Sequence, residues 1–130
     1  MHDYHTRIKS DKPDTHAPDG SEIRLLTATG RGSMVHCTLQ PGQVSLAVTY
    51  LTVEELWYVV DGTGELWRKQ GNREEITELW PGMSVSIPLD TDFQFRCTGV
   101  DPLECVIVTN PPWPGEHEAV RVPDYWPVDR

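Results

Sequence analysis

Histidine is the side chain of this sequence best suited to proton transfer near neutral pH or to metal binding. Of the five histidines, only His36 lies within an apolar run, SMVHCTL. On a strand, His36 would share a face with Met34 and Thr38, while Val35 and Cys37 would lie on the opposite face. This pattern leaves open whether His36 points inward, where it could act in catalysis, or lies at the sheet surface or in a dimer contact.

Cysteine offers nucleophilic or metal-binding chemistry, but the spacing here favours neither. Cys37, Cys97 and Cys105 form no C-x2-C pair and are odd in number, which favours neither a zinc site nor a disulfide framework. Each lies in an apolar run, so we expect three buried thiols. His2 and His5 could bind a metal as a pair, but they lie in a polar segment and we expect them to be solvated.

The composition favours one small globular domain. The 130 residues include 38% hydrophobic and 24% charged residues, enough for a single packed core. A net charge of -9 repels phosphate groups, so we expect neither nucleic acid nor membrane surfaces as partners. The longest uncharged apolar run is far shorter than the roughly 20 residues of a spanning helix, and the N-terminus lacks a signal-peptide core. We therefore expect a cytoplasmic protein.

Short runs rich in Val, Ile, Thr and aromatic residues predict an all-β fold that can position such side chains. The runs are IRLLTA, MVHCTL, VSLAVTYL, LWYVV, GELWRK, EEITEL, SVSIP, FQFRC and LECVIVT. Turn signals such as Pro41-Gly42 separate them at intervals of about 8 to 12 residues, typical of a sandwich or barrel. The 11 prolines and 10 glycines predict little helix. Asp61-Gly62 suits a tight turn and predicts that LWYVV and GELWRK pair as a hairpin.

The two ends of the chain differ from its centre. Residues 1–20 show no apolar period and are predicted to be a flexible arm, which leaves residues 21–110 for the β-domain. Residues 111–130 contain five of the 11 prolines together with Trp113 and Trp126, so they cannot form a central strand. We expect this tail to pack on the barrel or on a dimer partner.

The centre of the chain also contains a spacing that resembles the first cupin motif, G-x5-H-x-H-x4-E-x6-G. The motif aligns without a gap from Gly42 through Val48, Tyr50 and Glu55 to Gly62. The glycines and the glutamate are retained, and the two histidine positions hold valine and tyrosine.

The second cupin motif, G-x5-P-x-G-x2-H-x3-N, also aligns without a gap. It runs from Gly82 through Pro88, Asp90 and Phe93 to Cys97. Over about residues 30–110 the sequence thus resembles a small single-domain cupin. The resemblance implies a single antiparallel β-barrel or jelly roll.

The resemblance implies the positions of the cupin metal ligands, and two of the four side chains there lack a donor atom. The four positions are Val48, Tyr50, Glu55 and Phe93. A divalent transition metal in such a site needs three or four donor side chains, so we expect no metal and no cofactor there. Strand alternation adds Trp57 and Phe95 to the same interior. The expected substrate contacts are Val48, Trp57, Phe93 and Phe95.

Glu55 is then a solitary carboxyl in an apolar cavity. Burial raises a carboxyl pKa, by up to about 3 to 5 units when it is complete. A carboxyl that titrates near neutral pH can donate or accept a proton, which contributes roughly 100- to 10,000-fold in rate. Tyr50 could orient a substrate oxygen, and an inward-facing His36 could complete an acid–base set. The alternative is a structural Glu55 that is hydrogen-bonded to Tyr50 or a neighbouring hydroxyl.

The leading hypothesis is a metal-free cupin that binds a small apolar or aromatic molecule. Such a protein could isomerise, cyclise or eliminate by proton transfer at Glu55, with Tyr50 and His36. One alternative is a binding or regulatory cupin without catalysis. Another is a metal-dependent oxygenase or lyase that uses Glu55, His36 and a further donor. The resemblance, together with the need to cover edge strands, also implies a homodimer.

Overall fold

The computed structural model describes residues 3–128. Within that range the chain forms eleven β-strands and one turn of 3-10 helix. The strands are β1 (Thr15–His16), β2 (Glu22–Ala28), β3 (Ser33–Leu39), β4 (Val48–Tyr50), β5 (Glu54–Asp61), β6 (Gly64–Gln70), β7 (Arg73–Leu79), β8 (Ser84–Ile87), β9 (Asp92–Cys97), β10 (Leu103–Asn110) and β11 (Ala119–Arg121). The 3-10 turn covers Glu116–Glu118. No helix among these residues has the length and apolarity needed to cross a membrane.

The strands form two antiparallel sheets that share one core. One sheet has the order β1-β2-β3-β10-β5-β8 and the other β11-β4-β9-β6-β7. Rings from the two sheets meet between them, where Trp57 of β5 lies 5.8 Å from Phe93 and 4.9 Å from Phe95 of β9. The all-β jelly-roll prediction is confirmed, although the two sheets do not close into one continuous barrel.

Local patterning located the strands well. Each of the nine predicted runs overlaps one of the strands β2 to β10, and the only helical segment described is three residues long. The sequence did not reveal β1 and β11, because strands of two and three residues are too short to show an alternating pattern. All three cysteines are buried and unpaired, as predicted.

The predicted hairpin between LWYVV and GELWRK is wrong. β5 pairs with β10 and β8, whereas β6 pairs with β9 and β7, so Asp61-Gly62 carries the chain from one sheet to the other. Gly62 has φ 79°, which a crossing between sheets can use as readily as a hairpin turn. A Cβ at Gly62 would also lie 2.8 Å from Leu103 Cα. Glycine is needed here for close backbone approach.

Replacing Gly62 by alanine is expected to destabilise the fold by about 2 to 3 kcal/mol, because the new Cβ adds a backbone clash to a strained φ. Gly71 is the matched control, since it has φ 58° and no atom within 4 Å of a built Cβ. Gly71→Ala should cost only about 1 kcal/mol. Urea unfolding of both variants measures the difference. Equal losses of stability in the two variants would show that the close approach to Leu103 does not require glycine at position 62.

The described parts of both terminal segments lie against the sheets. The N-terminal segment, predicted as a flexible arm, runs alongside β2. Arg24 of β2 donates to the Ser10 carbonyl (2.9 Å), and β1 pairs with β2. At the other end, Trp126 is buried with Trp67 and Ala47 on the outer face of the second sheet. Both segments therefore cover parts of the chain's own β-structure.

Candidate active site

A cavity of about 790 Å³ opens between the sheets. Its inner wall includes Ile23, Val35, Tyr50, Trp57 and Ile107, which project from β2, β3, β4, β5 and β10. Residues before β1 and the stretch that precedes the 3-10 turn form its rim. The inward faces of five strands and both end segments thus enclose one space large enough for a small organic molecule.

Glu55 occupies the wall of this cavity as a hydrogen-bonded carboxyl. It is only 6% exposed. Trp57, two residues along the same face of β5, donates its indole N–H to Glu55 Oε1 at 3.0 Å. Thr109, opposite Glu55 on β10, donates its hydroxyl to Oε2 at 3.1 Å. The donors to this carboxyl are therefore neutral, and no cation pairs with it among the described residues.

Burial raises the pKa of Glu55 to about 7. The hydrogen bonds from Trp57 and Thr109 act in the opposite direction, because they stabilise the anion, while the charge of Asp19 raises the pKa further. Burial also raises the pKa of Tyr50 well above its ordinary value, so this phenol stays protonated. Near neutral pH the cavity thus contains a carboxyl that can gain or lose a proton beside a neutral phenol.

Replacing Glu55 by glutamine should make the fold less sensitive to pH. A carboxyl whose folded pKa is about 7, against 4.5 normally, stabilises the fold fully below pH 4.5 and loses that contribution as the pH rises to about 7. Glutamine cannot ionise. Between about pH 5 and pH 8 the stability of Glu55→Gln relative to wild type should therefore increase by about 2 kcal/mol.

Urea unfolding at the two pH values measures this change in relative stability. Glu54→Gln is the matched control, because Glu54 is the exposed neighbour on the other face of β5. A constant difference between Glu55→Gln and wild type would show that Glu55 has an ordinary pKa in the folded protein.

The predicted substrate contacts occupy two different layers. Trp57 lines the cavity. Val48, Phe93 and Phe95 are at most 1% exposed and belong to the core cluster, where the Phe93 ring supports Tyr50 at 5.2 Å. These three side chains are not among the cavity-lining residues. They pack in the core behind the residues that line the cavity.

His36 lies apart from Glu55. Its neighbours Val35 and Cys37 line the cavity, which by strand alternation places His36 on the outer face of β3. There its Nε2 is 3.4 Å from Glu104, and burial lowers its pKa while Glu104 raises it. The structure therefore corrects the hypothesis that His36 joins Glu55 and Tyr50 in an acid–base set. It equally corrects a metal site made from His36 and Glu55.

Asp19 is a site residue that the sequence did not reveal. It lines the cavity and is 6% exposed, and burial raises its pKa although Ser21 donates to it. Its place in a polar segment suggested solvent exposure. The signal that could have found it is its position in the Pro18-Asp19-Gly20 turn, directly before the first long apolar run.

The cavity rim was also missed. The cavity lining also includes His5, Arg7, His16, Trp113 and Glu116. Trp113 packs edge-on against Tyr50 at 5.2 Å, so part of the Pro-rich tail completes the aromatic wall. His2, which we expected to be solvated together with His5, lies outside the described residues.

A family model for the cupin domain matches residues 35–109, which is more than half of the chain. This chain belongs to the cupin domain family. Among curated proteins, none matches its sequence significantly.

Solved structures share this cupin fold at low sequence identity. BH2720 from Bacillus halodurans is 20% identical, with a TM-score of 0.66, over 79% of this chain and 76% of that chain. KdgF from Halomonas sp. is 21% identical, with a TM-score of 0.61, over 70% and 80% of the two chains. An RmlC-like cupin with a double-stranded β-helix fold from Methanocaldococcus jannaschii is 18% identical, with a TM-score of 0.60, over 81% and 90%. These likenesses show the fold alone.

The donor set of this cupin does not fit a transition metal at the motif positions. Phe93 and Val48 supply hydrocarbon, Tyr50 supplies a protonated phenol, and the Glu55 oxygens already face N–H and O–H donors. Across residues 3–128, no group of three or more His, Cys, Asp or Glu side chains is arranged to hold a metal ion.

Proposed function

We propose that this cupin binds a small organic molecule with an apolar or aromatic body in the cavity between its sheets, and transfers a proton to or from it through Glu55. The observation that carries the proposal is the geometry at Glu55. A nearly buried carboxyl, oriented by Trp57 and Thr109, forms part of the wall of a cavity of about 790 Å³. Isomerisation, cyclisation and elimination are the reaction types that this arrangement supports.

The aromatic wall supports an apolar ligand body. Tyr50, Trp57 and Trp113 all line the cavity, and edge-to-face contacts with Phe93, Phe95 and each other fix their rings. Rigid aromatic walls bind apolar surface with little loss of side-chain entropy. The molecule would lie against these rings with its reacting hydrogen near the Glu55 carboxyl.

Tyr50 supports the proposal as a hydrogen-bond donor to the reacting molecule. Burial keeps its phenol protonated, and hydrogen bonding from Tyr50 lowers the pKa of the Glu55 carboxyl. A neutral phenol can stabilise negative charge that develops on a substrate oxygen as a proton leaves carbon. Glu55 would exchange the proton, and Tyr50 would orient the oxygen.

The elimination of 5-nitrobenzisoxazole tests the proposal, because this flat aromatic probe needs only a base. A carboxylate removes the C–H proton, the electron pair forms the nitrile, the N–O bond breaks, and a coloured phenolate is released. Wild-type protein should accelerate this elimination and the Glu55→Gln protein should not. Quenching of tryptophan fluorescence reports binding of the probe in both proteins. Binding without acceleration would contradict the catalytic proposal and favour a ligand-binding cupin.

The homodimer and the cytoplasmic location stay predictions. Alternating side chains on the outer face of β5 give some support to an interface, since Leu56, Tyr58 and Val60 are 56%, 52% and 45% exposed. Sedimentation of the purified protein measures the oligomeric state directly.

A further inference from the structure

Asp19 adds a second buried carboxyl to the cavity wall, with one oxygen left open. The residue is 6% exposed. Its Oδ1 accepts hydrogen bonds from the Ser21 backbone N–H at 3.0 Å and the Ser21 hydroxyl at 2.7 Å. Within residues 3–128, Oδ2 accepts no hydrogen bond. Among the described residues, Oδ2 is not one of the fully buried atoms that lack a partner, and Asp19 lines the cavity. This oxygen is therefore accessible to a donor on a molecule bound there.

The backbone holds Asp19 firmly in this position. The Leu46 N–H donates to the Asp19 carbonyl at 2.9 Å, and the Ala17 N–H donates to the Ser21 carbonyl at 2.9 Å. These backbone hydrogen bonds close the turn before β2 and connect it to the segment that precedes β4. The carboxyl is therefore oriented before a ligand arrives, which favours a binding role.

The inner part of the cavity contains two acids without a cation. Asp19 is close enough to Glu55 for its charge to raise the pKa of that residue. The other titratable and charged groups facing the cavity are Cys37, Tyr50, His5, Arg7, His16 and Glu116. Burial keeps the Cys37 thiol and the Tyr50 phenol neutral, since it raises the pKa of both. His5, Arg7, His16 and Glu116 are exposed at the rim.

The walls around these acids also suit a positive charge. Tyr50, Trp57 and Trp113 line the cavity, and the faces of such rings attract ammonium groups. The net charge of the whole chain is -9, which raises the concentration of cations near its surface.

We propose that the molecule bound in this cavity is an amine cation with an apolar or aromatic body, whose ammonium group donates a hydrogen bond to Asp19 Oδ2. This inference rests on the proposed function, because it names the class of molecule on which Glu55 would act. The ammonium would offset the desolvation of the Asp19 carboxylate, since a charged pair with good hydrogen-bond geometry is stable where a lone buried charge is not. Asp19 is then the residue that selects amines over neutral compounds of the same shape.

A matched pair of probes, phenethylamine and phenethyl alcohol, tests this selectivity. They share an aromatic body and differ in the ammonium group. At about pH 8, phenethylamine should bind wild-type protein at least about 10-fold more tightly than the alcohol, measured by quenching of tryptophan fluorescence. In Asp19→Asn the two probes should bind alike, because asparagine retains an acceptor for Ser21 but has no charge. Asp101→Asn removes an exposed carboxyl outside the cavity and should keep the preference.

The possible outcomes separate this inference from the proposed function. Equal affinity of the two probes for wild-type protein would overturn the role of Asp19, whether or not Asp19→Asn folds. A preference for the amine that survives in folded Asp19→Asn would overturn it as well. Elimination of 5-nitrobenzisoxazole by wild-type protein would still support Glu55 in either case. Amine selectivity without that elimination would support Asp19 and contradict the catalytic proposal.

Discussion

The Glu55→Gln protein is expected to eliminate 5-nitrobenzisoxazole at least about 100-fold more slowly than wild type, with its affinity for the probe changed less than about threefold. Glutamine keeps an oxygen that can accept from Trp57 or Thr109, so the wall stays in place. The glutamine amide has no lone pair basic enough to remove a proton from carbon. The loss should therefore appear in kcat, as expected for a group that acts in the transition state.

The pH dependence of this elimination provides a second test of Glu55 as the base. Burial raises the pKa of Glu55 to about 7, and only the ionised carboxyl is a base. The rate should rise with pH to a plateau above about pH 7, and the Glu55→Gln protein should lack this rise. Steady-state rates of colour release across the pH range measure the profile.

Two matched variants decide whether Glu55 itself is the base. Glu54→Gln changes the exposed carboxyl on the opposite face of β5 and should retain the wild-type rate and pH profile. Asp19→Asn should move the rise in rate to lower pH without abolishing the elimination, because the charge of Asp19 raises the pKa of Glu55. A rate that is kept in Glu55→Gln and lost in Asp19→Asn would transfer the role of base to Asp19.

Much of the fold could be predicted because it follows from local patterns. Short runs rich in Val, Ile, Thr and aromatic residues located β2 to β10, because such residues favour strands. The pairing of β5 could not be obtained in this way. The Asp61-Gly62 turn specifies a positive φ but not a partner strand, and the crossover depends on contacts with Pro102 and Leu103, about 40 residues further along the chain.

The candidate site could be predicted where a strand face determined it. Strand alternation placed Trp57 with Glu55, and the burial that raises the Glu55 pKa followed from its apolar neighbours. The face of His36 could not be assigned, because both faces of β3 are partly apolar. Asp19 and Trp113 enter the cavity wall from segments outside the predicted domain, so no periodicity within those segments pointed inward.

Gln94 explains how the C-terminal tail is fixed, a feature that the tail's own sequence does not reveal. It lies on β9 between Phe93 and Phe95, but on the outer face of the sheet, and it is fully buried. Its Nε2 donates to the carbonyls of Ser45 (2.9 Å) and Trp126 (3.0 Å). Its Oε1 accepts from the N–H groups of Tyr125 and Trp126, both at 2.8 Å. One side chain thus satisfies four backbone groups beneath the tail.

Replacing Gln94 by leucine is expected to destabilise the protein by about 3 to 5 kcal/mol, because it leaves these four backbone groups without partners in a buried site. Trp126 should then lose its packing against Trp67, and the cation–π contact with Arg96, whose guanidinium carbon lies 4.5 Å from the ring, should be lost as well. Urea unfolding measures the stability, and tryptophan fluorescence in the absence of denaturant reports release of the tail. Gln70→Leu is the control, since Gln70 is exposed and donates only to the Thr91 hydroxyl. If both leucine variants lose less than about 1 kcal/mol, the tail is held by ring packing and not by Gln94.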